Sequence, residues 1–339
     1  MTTIYEVSKL SGVSPSTVSR VLNGSDLVVE STRRKVEAAI EALDYRPNKF
    51  AQSLASKRSN SVGILVPELH GPFFGTMLSS IELELRNEGK HVIITAGHSD
   101  ADREKEGIEF LVSRGCDALI LFVFATPGED IRALWESSMP VVVIGQLIQG
   151  MEEDCIVLNN EAGGYLATKF LIDSGHRKLA CITGPLWKSD GQERLEGYKR
   201  ALSESGLVFD PCLVVEGNFE EASGERGMEQ LIQSGVSFSG LVCANDEMAA
   251  GAIRFAREQG MDIPSDLSVV GFDNVFFTRY MYPQLTTIAY PIEKMGQMAA
   301  RCVLRDVYEK TGQEIQVRFE PELLKRASVS DRSSTRREE

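Results

Sequence analysis

"VSPSTVSRVLNGS", residues 13–25, carries the signals of a helix start and a two-faced helix. Ser14 offers a hydroxyl to the free N–H groups of a first turn, and Pro15 suits the first helical position, where its missing N–H is no loss. Val18, Val21 and Leu22 recur at helical spacing on one face, leaving Ser16, Thr17, Ser19, Arg20 and Asn23 on the other. Upstream, Thr3 and Glu6 form a capping box, Ile4, Val7 and Leu10 repeat the spacing, and Gly12 ends the turn. A helix from about Ile4 to Ser11, followed at once by another, describes a helix-turn-helix. The outer face of the second helix is short, polar and able to donate hydrogen bonds, which suits base edges and phosphates in a major groove. An ordinary helical hairpin with a solvated polar face has the same spacing.

A third helix is signalled by Val36, Ile40 and Leu43 and is expected to stop at Pro47. Val29 leaves its start without the usual polar cap. "NKFAQSLASKRSNS", residues 48–61, then presents a helical face of Phe50, Ala51 and Leu54, too short to be stable alone. It reads either as a conditional hinge helix or as a plain polar linker.

The formal net charge of −13 conflicts with a polyanionic partner until its distribution is considered. Up to Arg58 there are nine basic and six acidic residues, a balance of +3, and the remainder carries −16. Screening over about 8 to 10 Å lets a small basic head meet phosphates while an acidic body sits farther off. So modest a positive balance implies weak non-specific affinity for one head and favours two heads per molecule.

With 339 residues, 42% of them hydrophobic, the chain can bury a core and fits two or three domains. No signal-peptide pattern opens it, and no apolar run approaches the roughly 20 residues of a membrane helix, so a cytoplasmic protein without membrane contact is expected. The scattered cysteines 116, 155, 181, 212, 243 and 302 lack CxxC spacing and are expected to be buried free thiols. The histidines 70, 91, 98 and 176 have no metal-ligand spacing, and the common nucleotide, hydrolase and metalloprotease motifs are missing. No catalytic residue, metal or cofactor is therefore expected. A free-standing binding protein would leave the first 58 residues without a purpose.

From Ser61 onward, about ten short apolar runs, among them "SVGILVP", "ALILFVF", "KLACITG" and "LSVVGFD", alternate with helical stretches. Continuous apolar strands between helices indicate parallel sheets covered on both sides, and so many strands divide best into two α/β lobes. Ligands of such sheets sit beyond the carboxyl ends of the strands. There the chain reads "PELHGPFF", "GPLWKSDGQER", "GNF", "ANDEM" and "GFDN", polar, aromatic and Gly-rich.

"IYEVSKLSGVSPSTVSRVLNG", "YRPNKFAQSLASKRSNSVGILVP", "GHRKLACITGP", "RLEGYKRAL", "ANDEMAAGAI" and "SVVGFDN" together resemble the LacI/GalR family of bacterial transcription regulators, in order, over about residues 2 to 329. Galactose-repressor-like members look most similar. The resemblance implies an all-α helix-turn-helix head over 1–47, a hinge over 48–58, and an α/β body like the periplasmic binding proteins over 59–330. Within the body it implies one subdomain of about 60–159 and 291–320, a second of about 160–290 and 321–330, and a disordered tail over 331–339.

Function by resemblance is that of a sequence-specific DNA-binding regulator, expected to be a repressor. It would act as a homodimer on palindromic operator DNA and answer to a small-molecule effector, a sugar by this likeness. A purine or a phosphorylated carrier protein is the alternative effector. Ser16, Thr17, Ser19, Arg20 and Asn23 match the operator-contacting helix, and Leu54, with Asn48 and Ala51 beside it, matches the leucine that wedges into the minor groove. In the cleft, Arg194, Asn245 and Asp273 match effector-binding polar residues, Phe219 matches the aromatic that packs on a sugar, and Phe73 lies in the matching first-strand loop. Carboxylate, amide and guanidinium groups each engage neighbouring hydroxyls, while an aromatic face covers the C–H side of a pyranose. Gly71 stands where an Asn, Asp or Ser is common, and His70 is expected to compensate. "SDRSSTRREE" lacks leucine heptads, which fits a dimer.

Overall fold

The computed structural model describes residues 2–22, 24–25, 27–46, 58–312 and 314–333. Asn23, Asn48, Ala51 and Leu54, and with them most of the expected hinge, lie outside the described residues. The chain divides into two units, 1–60 and 61–339.

The first unit holds α1 (Ile4–Ser11), α2 (Pro15–Leu22) and α3 (Glu30–Ala42). The Glu6 carboxylate accepts the Thr3 N–H at 2.7 Å, and Gly12 leaves α1 with a φ of 70°. Ser14 Oγ accepts the Thr17 N–H at 3.2 Å and so caps α2. Val7, Val18 and Val36 are fully buried against Val21, Ala39 and Tyr45. Each such valine stabilises the fold by roughly 1.5–3 kcal/mol. The third helix ends at Ala42, short of Pro47. Asp44 adopts a φ of 42° and the Tyr45 N–H turns back to the Ile40 carbonyl, because this carries the Tyr45 ring into the small core. Val29 precedes α3 with no side-chain cap.

The second unit contains two six-stranded sheets. The first is built from β1 (Ser61–Val66), β2 (His91–Ala96), β3 (Ala118–Leu121), β4 (Val141–Ile144), β5 (Cys155–Leu158) and β11 (Arg318–Phe319), in the order β2-β1-β3-β4-β5-β11. The second uses β6 (Leu179–Thr183), β7 (Val214–Glu216), β8 (Gly240–Cys243), β9 (Ser268–Asp273), β10 (Thr286–Ala289) and β12 (Glu322–Leu324), in the order β7-β6-β8-β9-β10-β12. All pairings are parallel except β10 with β12. The last two strands escape sequence reading because their two or three residues stand among charged ones in "QVRFEPELLKR" and form no apolar run. The chain passes between the sheets after β5, after β10 and between β11 and β12.

Strand side chains alternate between two apolar layers. Val62, Ile64 and Val66 join Met77, Ile81 and Leu85 of α4 (Pro72–Asn87) and Met295 and Val303 of α11 (Ile292–Tyr308). Leu65 turns to the opposite face with Leu111 of α5 (Ala101–Ser113) and Ile131 of α6 (Gly128–Glu136). In the second sheet Cys181 packs with Leu171 of α7 (Asn160–Asp173) and Tyr198 of α8 (Ser189–Glu204). Ile182 faces Met228 of α9 (Glu221–Gln233) and Ile253 of α10 (Asp246–Glu258). Helices on both faces explain why these strands read as unbroken apolar runs.

Two expectations need correction here. All six cysteines are free, but Cys212, beside Pro211 in a short 3-10 turn, is exposed. The expected tail is anchored at its start, since the Arg332 N–H bonds the Ser174 carbonyl at 2.8 Å and its guanidinium reaches the carbonyls of Ser265 and Asp266. Residues 334–339 lie outside the described residues. Among the described residues no helix is long and apolar enough to cross a membrane.

Candidate functional site

In both sheets the strand order reverses direction, between β1 and β3 in one and between β6 and β8 in the other. Loops leaving neighbouring strands part at such a point and open a crevice. A cavity of about 110 Å³ lies there, and His70, Phe73, Arg194, Phe219, Asn245 and Asp273 all line it.

Arg194 is organised by close helix packing. Gly164 on α7 and Gly197 on α8 bring the two helices so near that a methyl group at Gly164 would stand 2.0 Å from the Arg194 carbonyl. From this position Arg194 Nε donates to Asn160 Oδ1 at 3.0 Å and Nη1 donates to the Ala244 carbonyl. Its guanidinium lies 3.7 Å from the centre of the Phe272 ring and its Nη1 stands 3.6 Å from Asp273 Oδ1. Arg194 is 6% exposed.

Asp273 ends β9 with a φ of 107°, a conformation side-chain-bearing residues rarely adopt. Such backbone persists only where the surroundings enforce it, often at ligand sites. Burial pushes its carboxyl well above the usual range, against the opposing pull of Arg194. Beyond that ion pair, the carboxylate accepts no hydrogen bond from the described residues. A buried carboxylate with spare lone pairs facing a cavity can accept hydrogen bonds from hydroxyl groups.

Phe219, with a φ of 71°, lays its ring against Gly184, where a methyl group would meet the ring at 2.1 Å. Across the cavity Phe73 meets Tyr290 edge to face at 4.9 Å between centroids. Asn245 is already committed at both ends of its amide. Its Oδ1 caps α10 by accepting the Met248 N–H at 2.9 Å, and its Nδ2 donates to the Phe219 carbonyl at 2.7 Å. It positions Phe219 as well as facing the cavity. His70 is 79% exposed and pairs with Glu68 at 3.2 Å, so it does not fill the place that Gly71 leaves empty.

Sequence reasoning missed Phe122, Phe124, Lys188, Asp190, Glu247 and Tyr290, which also line the cavity. Phe122, Phe124 and Tyr290 lie just past strand ends, and the runs "ALILFVF" and "TTIAYP" give no sign of where pairing stops. The Phe124 loop is held by the fully buried Glu104, whose carboxylate accepts the N–H groups of Phe124, Ala125 and Thr126 and the Thr126 hydroxyl. Lys188, from the second sheet, donates to Ser99 Oγ of the first at 2.8 Å and so spans the cleft. Burial lowers its pKa.

In the first unit, Ser16 and Arg20 are exposed on α2, whereas Thr17 and Ser19 are half-buried. The Thr17 hydroxyl lies 2.9 Å from Ser14 Oγ and is partly used at the helix start. The polar face is therefore narrower than the spacing suggests, with Arg20 its longest donor.

Residues 3–48 match the profile of the lacI family of bacterial regulatory proteins, and residues 168–329 match that of the periplasmic binding protein-like domain. The chain is 37% identical over 330 residues to the HTH-type transcriptional regulator GalR of Escherichia coli K12, covering 97% of this chain and 96% of that one. It is 34% identical to the HTH-type transcriptional repressor PurR of Aliivibrio salmonicida, covering 97% and 99%. The structure of the lac repressor dimer bound to operator and the anti-inducer ONPF superposes with a TM-score of 0.86 at 28% identity, covering 97% of this chain and 99% of that chain. A helix-turn-helix head, a two-sheet body with a cleft at its switch points and near-full-length identity to such regulators agree: the chain belongs to the lacI family of bacterial regulatory proteins, DNA-binding transcription regulators with an effector-binding body.

Proposed function

We propose that this regulator is a homodimeric repressor of a palindromic operator, controlled by a small sugar bound in the cleft between the two sheets. The observation that carries the sugar assignment is Asp273, a buried carboxylate ion-paired to Arg194 and accepting no hydrogen bond from the other described residues, with Phe219 beside it. Hydroxyls on one edge of a pyranose satisfy such a carboxylate, and the ring's C–H face packs on the aromatic ring. Ser16, Thr17, Ser19, Arg20 and Asn23 are assigned to the major groove, and Asn48, Ala51 and Leu54 of the 48–58 hinge to the central minor groove. His70, Phe73, Arg194, Phe219, Asn245 and Asp273 are assigned to the effector.

The test is thermal unfolding of the full-length protein against hexoses, disaccharides, sugar phosphates and purines. A native-state ligand at 100 times its Kd stabilises by about 2.7 kcal/mol. One stabilising sugar, whose effect is lost in Asp273→Ala while operator binding persists, is the expected result. Stabilisation by a purine alone, or a sugar response intact in Asp273→Ala, would overturn the assignment.

A further inference from the structure

Gly71 and Glu247 face each other across the cleft. Gly71 opens α4 on the side of the first sheet with a φ of 85° and contributes no side chain. Glu247, the second residue of α10, comes from the side of the second sheet, and its Oε1 would stand 3.4 Å from a methyl group placed on Gly71. Its carboxylate therefore borders the space that the first-sheet loop leaves empty. Glu247 is half-buried, lines the cavity and forms no hydrogen bond or ion pair with the described residues. Burial raises its pKa, opposed by His70 and assisted by Glu68.

The carboxyl groups of Glu68, Asp190, Glu220, Glu247 and Asp273 line the cavity against two strong cations, Arg194 and Lys188. Arg194 is shared among Asp273, Asn160 and the Ala244 carbonyl, and the Lys188 ammonium is bonded to Ser99. Of these carboxyl groups, Asp273 and Glu247 accept no hydrogen bond from the described residues and remain to receive a ligand. A carboxyl group accepts hydrogen bonds from sugar hydroxyls, and an anionic ligand group would instead meet a lining in which acidic side chains outnumber strong cations.

We propose that Glu247 is a ligand-contacting acceptor that makes the cleft select an uncharged, hydroxyl-rich sugar and reject its phosphorylated form. The inference rests on the sugar assignment above. Glu247 takes over, from the opposite side of the cleft, a hydroxyl contact that no side chain at position 71 can make.

Calorimetric titration of the full-length wild type, Glu247→Gln and Glu247→Ala with neutral hexoses and their 6-phosphates tests this. The wild type should bind a neutral hexose about 100-fold more tightly than its 6-phosphate. Glu247→Gln should weaken the neutral sugar about tenfold and narrow that discrimination, with its ligand-free thermal midpoint unchanged. Should Glu247→Ala unfold early, the Gln variant still supplies the comparison. A wild type that binds a hexose with affinity untouched by Glu247→Gln, or that binds the 6-phosphate equally well, overturns this inference alone. A wild type that binds no sugar overturns the sugar assignment and this inference with it.

Discussion

Arg194 holds Asp273, Asn160 and the Ala244 carbonyl together, so its removal strands a buried carboxylate and two further acceptors. Breaking a buried pair from one side costs about 3–5 kcal/mol. Arg194→Ala should lower stability in urea by that amount, and a loss below 1 kcal/mol would show the pair to be dispensable. Asp246 is fully buried, and burial raises its carboxyl from 3.8 to about 7 despite the Thr287 hydroxyl and the Val275 N–H that it accepts. Between about pH 4 and 7 the folded chain keeps a proton that the unfolded chain releases, so this contribution to stability is full below that window and falls as pH rises through it. Asp246→Asn should flatten the decline, read as urea midpoints at pH 4.5 and 7.5. An equal decline in both proteins would exclude Asp246 as its source. Arg194 and Asp273 were legible because each stands at a fixed offset from a recognisable motif. Lys188 and Glu247 were not, since a charged side chain after a strand or in a first helical turn reads as solvated until an opposing loop is seen to cover it.

The pairing of α7 with α8 depends on two glycines. A methyl group at Gly197 would stand 2.0 Å from the Glu161 carbonyl, so the helices would have to separate. Overpacking of this kind costs typically about 1–3 kcal/mol. Gly197→Ala should lose that stability and, because Arg194 sits one turn earlier on α8, also weaken the effector. Unchanged ligand affinity in a destabilised variant would separate the packing from the site. The bounds of α1 and the start of α2 agree with the sequence because capping residues, proline and glycine act within one turn. The end of α3 does not, since Tyr45 is drawn back to a core made by residues far from it in sequence.

Two sheets joined by three connections place one cleft where both strand orders reverse, and Lys188 to Ser99 is a bond that any opening must break. If effector and operator favour different arrangements of the chain, the coupling must be reciprocal. Operator DNA should change effector affinity by the same factor, and in the same direction, as effector changes operator affinity, typically 1–3 kcal/mol in allosteric proteins. Effector titrations with and without operator read it directly, and equal affinities would remove the coupling.

Local chemistry was enough to predict the helix-turn-helix, the first ten strands and the α/β character of the body. Caps, turns and apolar periods are short-range signals that survive without a partner. The charge division between head and body was equally open to counting. Tertiary packing supplied the rest: the sheet orders, the last two strands, the engagement of Asn245 and Lys188, and the approach of Glu247 to Gly71. Each of these depends on residues far apart in the chain meeting in space, and no spacing along the chain records that distance.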